Sequence, residues 1–425
     1  MAGGGPLGAI YEIGALAAIA ESFDGVDLNH LDTYVGVSAG GILGAGLANG
    51  ISPREMCRIF IDPPVGAGPG VGAFDPAMLM RPAFAEYWAR ARKLPRQVGR
   101  TVWQYAVSGR GRGPAGILGA AEHLLQLFPT GLFSNEPLRR YLADIFNAPG
   151  RTDDFRKLSS HLYLIATDLD SGQAVEFGAP GHDDIPISVA ATASSALPGL
   201  FPPVEIAGRH YVDGALKRTL HASVALKEGA DLVICLNPLV PYDDRAVTET
   251  GLAPRRLIDG GLPIVVLQTI RAVIRSRMEI GMRQYGDDFP GADVVLFEPG
   301  RADAEMFFAN MFSYSSRRRL CEHAYQKTRA ELWKRRHELA PLLDRHGVVL
   351  NLAVLRDRSR TLVAGLGKRE RSAPLSVNGI TTSLAETLDD LSRYVLQIRA
   401  RKAAGQRDPV AQKKSGRKPR AAALN

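Results

Sequence analysis

The apolar residues of the first three hundred positions fall into two alternating spacings. Ile10, Ile13, Leu16, Ala17 and Ala20 recur about three or four apart behind a run of glycines, which predicts a helix to about Ala20. Leu31 to Val37 is instead a short apolar run with Thr33, Tyr34 and Val35, the composition of a buried strand. A helix of small residues follows over Ala39–Ala48 and is ended by Asn49-Gly50. Leu162–Thr167 and Leu232–Leu236 repeat the buried-strand pattern, while Ala174–Phe177 and Ala207–Val212 suit strands beside a hairpin or edge. Pro63 to Gly72 is a Pro/Gly loop, and about 76–128 reads as a helical insertion. From Pro263 to about His346 the spacing is mainly helical, with one strand expected at Asp293–Phe297. Strands alternating with helices predict an α/β protein with a layered sheet.

Length and charge refine this picture. At 425 residues the chain can bury a large core, and 45% hydrophobic with 23% charged residues excludes disorder of the whole chain. The net charge of +8 is uneven: residues 393–425 hold ten Lys/Arg against Asp408, a local +9, so residues 1–392 sum to −1. The polar, basic stretch after Arg356 is expected to be a tail, with one helix around Thr382 to Arg401 and disorder from Gly405. Cys57, Cys235 and Cys321 are too scattered for a disulfide framework or a metal site, and suit buried thiols in a reducing compartment. The start Met1-Ala2-Gly3-Gly4-Gly5 lacks the charged and apolar regions of a secretory signal. No run reaches the roughly 20 apolar residues of a membrane span. The longest, Leu262 to Ile274, is interrupted by Gln268 and Arg271. The expectation is a cytoplasmic protein that meets a membrane only peripherally.

Candidate chemistry starts at Gly36-Val37-Ser38-Ala39-Gly40, which joins a predicted strand to a predicted helix. In that context GxSxG presents a serine hydroxyl at a sharp turn, with the helix N-terminus near developing negative charge. The bland alternative is a glycine-rich turn with an incidental serine. A hydroxyl needs a base to become a nucleophile. His182, His210 and His221 have no distinctive spacing, though any of them could complete a triad. Asp213, in Tyr211-Val212-Asp213-Gly214-Ala215, is better marked: it ends a short strand, where a carboxylate can serve as general base. Asp-Gly is equally a hairpin turn. Gly3-Gly4-Gly5-Pro6-Leu7-Gly8 can bring backbone N–H groups against an oxyanion, or can be a flexible start. It can also be a dinucleotide fingerprint, with Asp24 or Asp27 near the distance of the ribose-binding acid. The GxSxG after the next strand argues against that last alternative.

In order, GGGxxG, GxSxG about thirty residues on, and Asp-Gly-Ala resemble the patatin-like phospholipase family. Ile165-Ala166-Thr167-Asp168-Leu169 with Ser171-Gly172, and Ala190 to Pro203 with Ser194-Ser195-Ala196-Leu197-Pro198 and Phe201-Pro202-Pro203, widen the resemblance to about residues 1–235. An insertion at about 63–130 interrupts it. The resemblance implies a three-layer α/β sandwich around a central, mostly parallel sheet, a mainly helical C-terminal extension over 236–355 and a tail over 356–425. It implies Ser38 as nucleophile and Asp213 as its base. Gly3, Gly4, Gly5 and Gly8 would form the oxyanion loop, Gly36 and Gly40 flank the elbow, and Gly214 and Ala215 complete the aspartate motif.

The substrate so implied is an acyl ester of a lipid, a phospholipid or lysophospholipid. Acyl transfer to another lipid alcohol and a catalytically weak lipid-binding role are the rivals. No cofactor, no metal and no specific nucleic-acid partner is implied. Two departures matter. Only Met1 and Ala2 stand where the family usually has an apolar strand, and Leu7 stands where it often has a basic residue, so head-group preference does not carry over. The insertion combines Met78, Leu79, Met80, Phe84, Trp88 and Trp103 with five basic residues between Arg90 and Arg100, and is expected to cap the acyl site and touch lipid. The basic tail is expected to be drawn to anionic lipid.

Overall fold

The computed structural model describes residues 1–61, 74–84, 87–88, 129–216, 220–243, 245, 256–307 and 314–362. The glycine run leads into helix α1 (Gly5–Ser22), one residue of whose first turn is a proline, as helix starts favour. Ile10, Ile13, Leu16 and Ile19 of α1 are all buried. After a two-residue strand β1 (Phe23–Asp24) the predicted strand forms as β2 (Thr33–Val37), and α2 (Ser38–Ala48) follows without a break. Further along come α3 (Glu136–Phe146), β3 (His161–Asp168), β4 (Ala174–Phe177) and α4 (Ile187–Ser194). Among the later elements are β5 (Val204–Ile206), β6 (Arg209–Asp213), α5 (Ala222–Lys227), β7 (Leu232–Leu236), α6 (Gly261–Asp288), β8 (Asp293–Phe297), α7 (Tyr314–Lys334) and β9 (Val349–Leu350).

Strand β3 explains why its sequence is a continuous apolar run. Leu162, Leu164 and Ala166 pack with Leu43 of α2 and Ala190 of α4, while Tyr163 and Ile165 pack on the opposite face with Val37 and Val224 of α5. A strand covered by helices on both faces loses the polar alternation of a half-exposed one. The layering is helix, sheet, helix.

The sheet itself is mixed. β2 pairs with β3 in parallel, whereas β3–β4, β3–β6 and β5–β6 are antiparallel. The expected mostly parallel sheet is corrected here by the lengths of the connections. Leu169–Gln173 alone joins β3 to β4, and Ala207-Gly208 alone joins β5 to β6, whereas parallel neighbours need a crossover of about a dozen residues or more. Ala207 and Gly208 take φ values of 50° and 78°, the double left-handed turn that matches strand twist. That turn is why the run expected as a strand from Ala207 becomes one only at Arg209. Strands β7 and β8 pair in parallel, and β1 pairs with β9 antiparallel.

Met1 and Ala2 connect the two larger groups of strands. The Met1 nitrogen donates to Val35 O at 2.8 Å. Val37 N–H donates to Met1 O at 3.2 Å, and Ala2 N–H to Leu236 O at 2.9 Å. Two residues thus take strand-like positions between β2 and β7, just ahead of the glycine loop.

The C-terminal helices share the core of the first two hundred residues. Leu320, Cys321, Ala324 and Tyr325 of α7 are fully buried in the cluster that holds Ile10 to Ile19. The Tyr325 hydroxyl donates to Glu21 Oε2 at 2.6 Å, and the Cys57 and Cys321 thiols lie 3.9 Å apart. All three cysteines are free and buried. The described residues of 1–312 and 316–369 make one compact unit, so residues of the extension over 236–355 belong to the same body as the glycine loop. Most of the expected helical insertion, with Trp103 and its basic residues, lies outside the described residues, as do the helix at Thr382–Arg401 and the tail. Among the described residues, no helix is long and apolar enough to cross a membrane.

One core residue goes against the apolar pattern. Glu12 of α1 is fully buried, and burial, outweighing the lowering effects of the Met1 ammonium and the Ala2 N–H, pushes its pKa up to about 8. A folded-state pKa above the unfolded value means that the fold favours the protonated acid. Stability is therefore lost as pH rises from about 4.5, the unfolded value, through about 8. Glu12→Gln should raise the melting temperature at pH 9 and do so by less at pH 5, in thermal denaturation at both pH values. An equal shift at the two would show that the carboxyl is not titrating in the core.

Candidate active site

Strand β4 lies along one edge of β3 from Leu164 to Thr167, so the partners of those residues in β2 and β6 share the other edge. Val37 pairs with Ile165, and Asp213 pairs with the next residue, Ala166. β2 runs parallel to β3 and β6 antiparallel, so the two strands approach head-on and stop at adjacent positions. Ser38 follows Val37 directly and begins α2. The fold thereby brings Ser38 to Asp213 across 175 positions of sequence.

The turn at Ser38 is tight. Ser38 has φ 54°, a left-handed value that few residues other than glycine adopt. Its N–H donates to the Ser194 hydroxyl oxygen at 2.8 Å, and Ser194 in turn donates to Ile165 O at 2.6 Å. Ser194 thus ties the strained residue to β3. Side chains are excluded on both sides of the serine: a Cβ on Gly36 would stand 2.4 Å from Gly41 Cα, and one on Gly40 would stand 2.4 Å from Ala2 O.

Asp213 is 4% exposed and Ser38 is 6% exposed. The backbone of Asp213 is held by its N–H to Ala196 O at 3.0 Å and by Thr167 Oγ1 donating to its carbonyl at 3.3 Å. Ala215 N–H donates to Oδ1 at 2.8 Å. Burial pushes the Asp213 pKa up to about 6, against smaller lowering effects of Ala215 N–H and the Ser38 hydroxyl. A carboxylate with this pKa is ionised at neutral pH and basic enough to take a proton from a neighbouring hydroxyl.

The glycine loop borders the same point. A Cβ on Gly3 would stand 3.0 Å from Ser38 Cβ and 3.2 Å from Ala215 Cβ. Gly4 and Gly8 pack on Pro238, and Gly5 opens α1. The N–H groups of Gly3 and Gly4 have no hydrogen-bond partner among the described residues. Such donors can stabilise an oxyanion.

The three candidate histidines lie elsewhere. His210 is exposed with Nδ1 3.7 Å from Asp170, His182 packs edge-on to Phe177, and His221 is buried at the start of α5. None is bonded to Ser38 or Asp213. Asp24 accepts from Asn351, and Asp27 from Asn29 and His30, so neither serves the glycine loop. Among the described residues, no cluster of three or more metal-ligating acids, histidines or cysteines occurs. Next to Ser38 opens an apolar cavity lined by Ile10, Ile13, Ile42, Leu79, Leu138 and Phe201.

The patatin-like phospholipase family model matches residues 1–226, the span that contains both the elbow and Asp213. The chain belongs to the patatin-like phospholipase family. No curated protein matches it. Among solved structures it is similar to the crystal structure of VipD from Legionella pneumophila, at 18% identity over 59% of this chain and 51% of that one, with a TM-score of 0.30. The chain spans about half the length of that protein.

Two residues of this patatin-like protein, Ser194 and Arg317, were not singled out by sequence. Ser194 lies inside a recognisable segment, yet nothing in Ser194-Ser195 tells which serine braces the elbow. Arg317 lines the apolar cavity, and its Nη1 donates to Phe60 O and Phe74 O at 3.0 and 3.3 Å. It had no local signal, being one of three consecutive arginines.

Ser194→Ala removes the acceptor of a buried N–H at a strained residue and should destabilise the protein by about 1–3 kcal/mol. Ser195→Ala serves as control, since Ser195 Oγ has no hydrogen-bond partner among the described residues, and should change stability by less than about 0.5 kcal/mol. Denaturant unfolding of the two variants checks the difference; equal losses would remove the brace.

Proposed function

We propose that the protein is a serine hydrolase that cleaves acyl esters of lipids through an acyl-enzyme on Ser38, with Asp213 as general base. The observation that carries this is the head-on meeting of β2 and β6 on β3, which sets Ser38 beside a buried acid of pKa about 6. Ser38 Oγ attacks the ester carbonyl carbon as its proton passes to Asp213, and the N–H groups of Gly3 and Gly4 receive the oxyanion. Collapse of the tetrahedral intermediate breaks the bond to the alcohol, which leaves with the proton from Asp213. Asp213 then takes a proton from water, whose oxygen attacks the acyl-enzyme; the fatty acid departs and Ser38 regains its proton. The acyl chain occupies the cavity lined by Ile10, Ile42 and Leu138.

A peripheral contact with the lipid surface fits the same reading. Met80, Phe84, Trp88, Leu132 and Leu200 are exposed large apolar residues. Met80 follows Leu79, and Leu200 precedes Phe201, both of which line the acyl cavity. Exposed apolar groups gathered near a site mark a surface that meets lipid or protein.

Ser38→Ala should abolish ester hydrolysis and labelling by a fluorophosphonate, located by mass spectrometry, while the protein remains folded. Asp213→Asn should lower turnover by about 10²–10⁴-fold, the usual range for loss of a general base. His210→Ala should retain most activity; loss there as complete as in Ser38→Ala would call for a histidine base.

The pH profile gives an independent check. The base must be ionised, and burial holds the Asp213 pKa near 6, so activity is lost as pH falls through that value. For a soluble short-chain ester, kcat/KM should drop about tenfold per unit below pH 6 and level off above it. An acid limb near pH 4 would mean that a solvent-exposed carboxylate, not Asp213, is the base.

A further inference from the structure

The glycine loop and the first turn of α1 stand between two clefts. Pro6, Ala9 and Ile10 face the apolar cavity beside Ser38, whereas Gly4, Leu7 and Gly8 face a second, solvent-open cleft. Pro238, Tyr242, Arg271, Arg301 and Phe307 also line this second cleft. Arg271 comes from α6 and is only 6% exposed. Its Cζ lies 4.4 Å from the centroid of the Phe307 ring, yet it has no hydrogen bond or ion pair among the described residues. A guanidinium carries five N–H donors in a fixed fork, and burying them without acceptors is unfavourable. Burial lowers the Arg271 pKa to about 10, so the group is still a cation at neutral pH.

The surrounding acids are already matched. Glu298 accepts from Arg275 and Asn237, Glu279 accepts from Arg275 and Arg301, and Asp303 is held by His323 at 2.7 Å. Gln268, one turn before Arg271, is spent on the backbone of Tyr242, accepting its N–H and donating to its carbonyl. Leu7 brings no charge to the cleft. From Arg301 the lining continues along Tyr242 to Arg245 and Arg256, so the cleft opens onto further cations; Asp243 there faces Arg245 at 3.6 Å.

We propose that this cleft is a phosphoryl-binding subsite in which Arg271, with Arg301, takes the phosphodiester of a phospholipid substrate. The lipid rests on the proposed chemistry at Ser38, but the anion site does not. An ester has two arms diverging from its carbonyl carbon. With the glycine loop between the clefts, an acyl arm in the apolar cavity leaves the alcohol arm to the basic one. A guanidinium fork pairs with two phosphate oxygens at once, which an uncharged glyceride cannot offer.

Calorimetry on the full chain carrying Ser38→Ala, with glycerol 3-phosphate and inorganic phosphate as probes, tests the anion site without turnover. Adding Arg271→Met should weaken glycerol 3-phosphate binding about tenfold to hundredfold, the worth of hydrogen bonds to a charged group, and Arg271→Lys should restore part of it. In the active protein, the ratio of kcat/KM on phosphatidylglycerol to that on diacylglycerol of the same chains should fall by a similar factor in Arg271→Met. Taking the ratio cancels changes common to both substrates. If Arg271→Met does not fold, Arg301→Gln should weaken the same binding. Binding of neither probe, or equal binding by folded Arg271→Met protein, overturns the site. Tighter binding of inorganic phosphate with an unmoved ratio assigns the cleft to free phosphate and overturns the lipid head group. Probe binding that depends on Arg271, in a protein that hydrolyses no ester, upholds the anion site and rejects the role of Ser38.

Discussion

The edge of β3 that faces away from β4 accommodates two strands only because they enter from opposite ends and are short. β2 occupies it through Ile165, and β6 takes it over from Ala166. The placing of Ser38 against Asp213 follows from that shared edge. The last residue of β2 and the last residue of β6 are fixed by ladder hydrogen bonds to consecutive residues of one strand, so neither can drift without breaking register with a buried neighbour. The serine that follows β2 and the aspartate that ends β6 inherit the precision of the sheet. Residues placed by rigid elements keep their geometry better than residues on loops.

Such a junction demands local strain, and the surroundings supply the restraint. Ser38 sits at φ 54° because the chain must turn from strand to helix within one residue. Strained residues persist where neighbouring structure over-determines them. Here those neighbours are the Ser194 bridge to Ile165, the glycine contacts at Gly36 and Gly40, and the Met1–Ala2 segment lying against Gly40. Because Ala2 also bonds to Leu236, the elbow, the glycine loop and β7 are tied together at one point.

The burial that builds this core also sets its electrostatics. Removal from water raises the pKa of Asp213 and of Glu12 alike, one at the site and one within α1. Buried cations are handled in two different ways. Arg317 and Arg329 donate to backbone carbonyls, Arg317 to Phe60 and Phe74, Arg329 to Val354 and Asp357. Among the described residues Arg271 has only the face of Phe307, and it lines a cleft next to the glycine loop. The contrast separates cations that hold the structure from one that remains available to an anion.

Periodicity and turn chemistry by themselves determined the α/β class, the strand–Ser38–helix junction, the strand end at Asp213 and the glycine run ahead of α1. These depend on residues within a few positions of one another, so a linear pattern records them. The pattern also held a trace of Arg271, as a charge interrupting the apolar run from Leu262 to Ile274, but not what it faces. The tertiary structure decided the rest: the mixed pairing of the sheet, the placing of Asp213 rather than His182, His210 or His221 beside Ser38, and the placing of Arg271 beside Gly4 and Gly8. It also chose Ser194 over Ser195 as the brace, across 156 positions. Those relations arise from strand register and helix packing between segments far apart in sequence, where no local spacing is constrained and only the shared burial of distant side chains selects the partner.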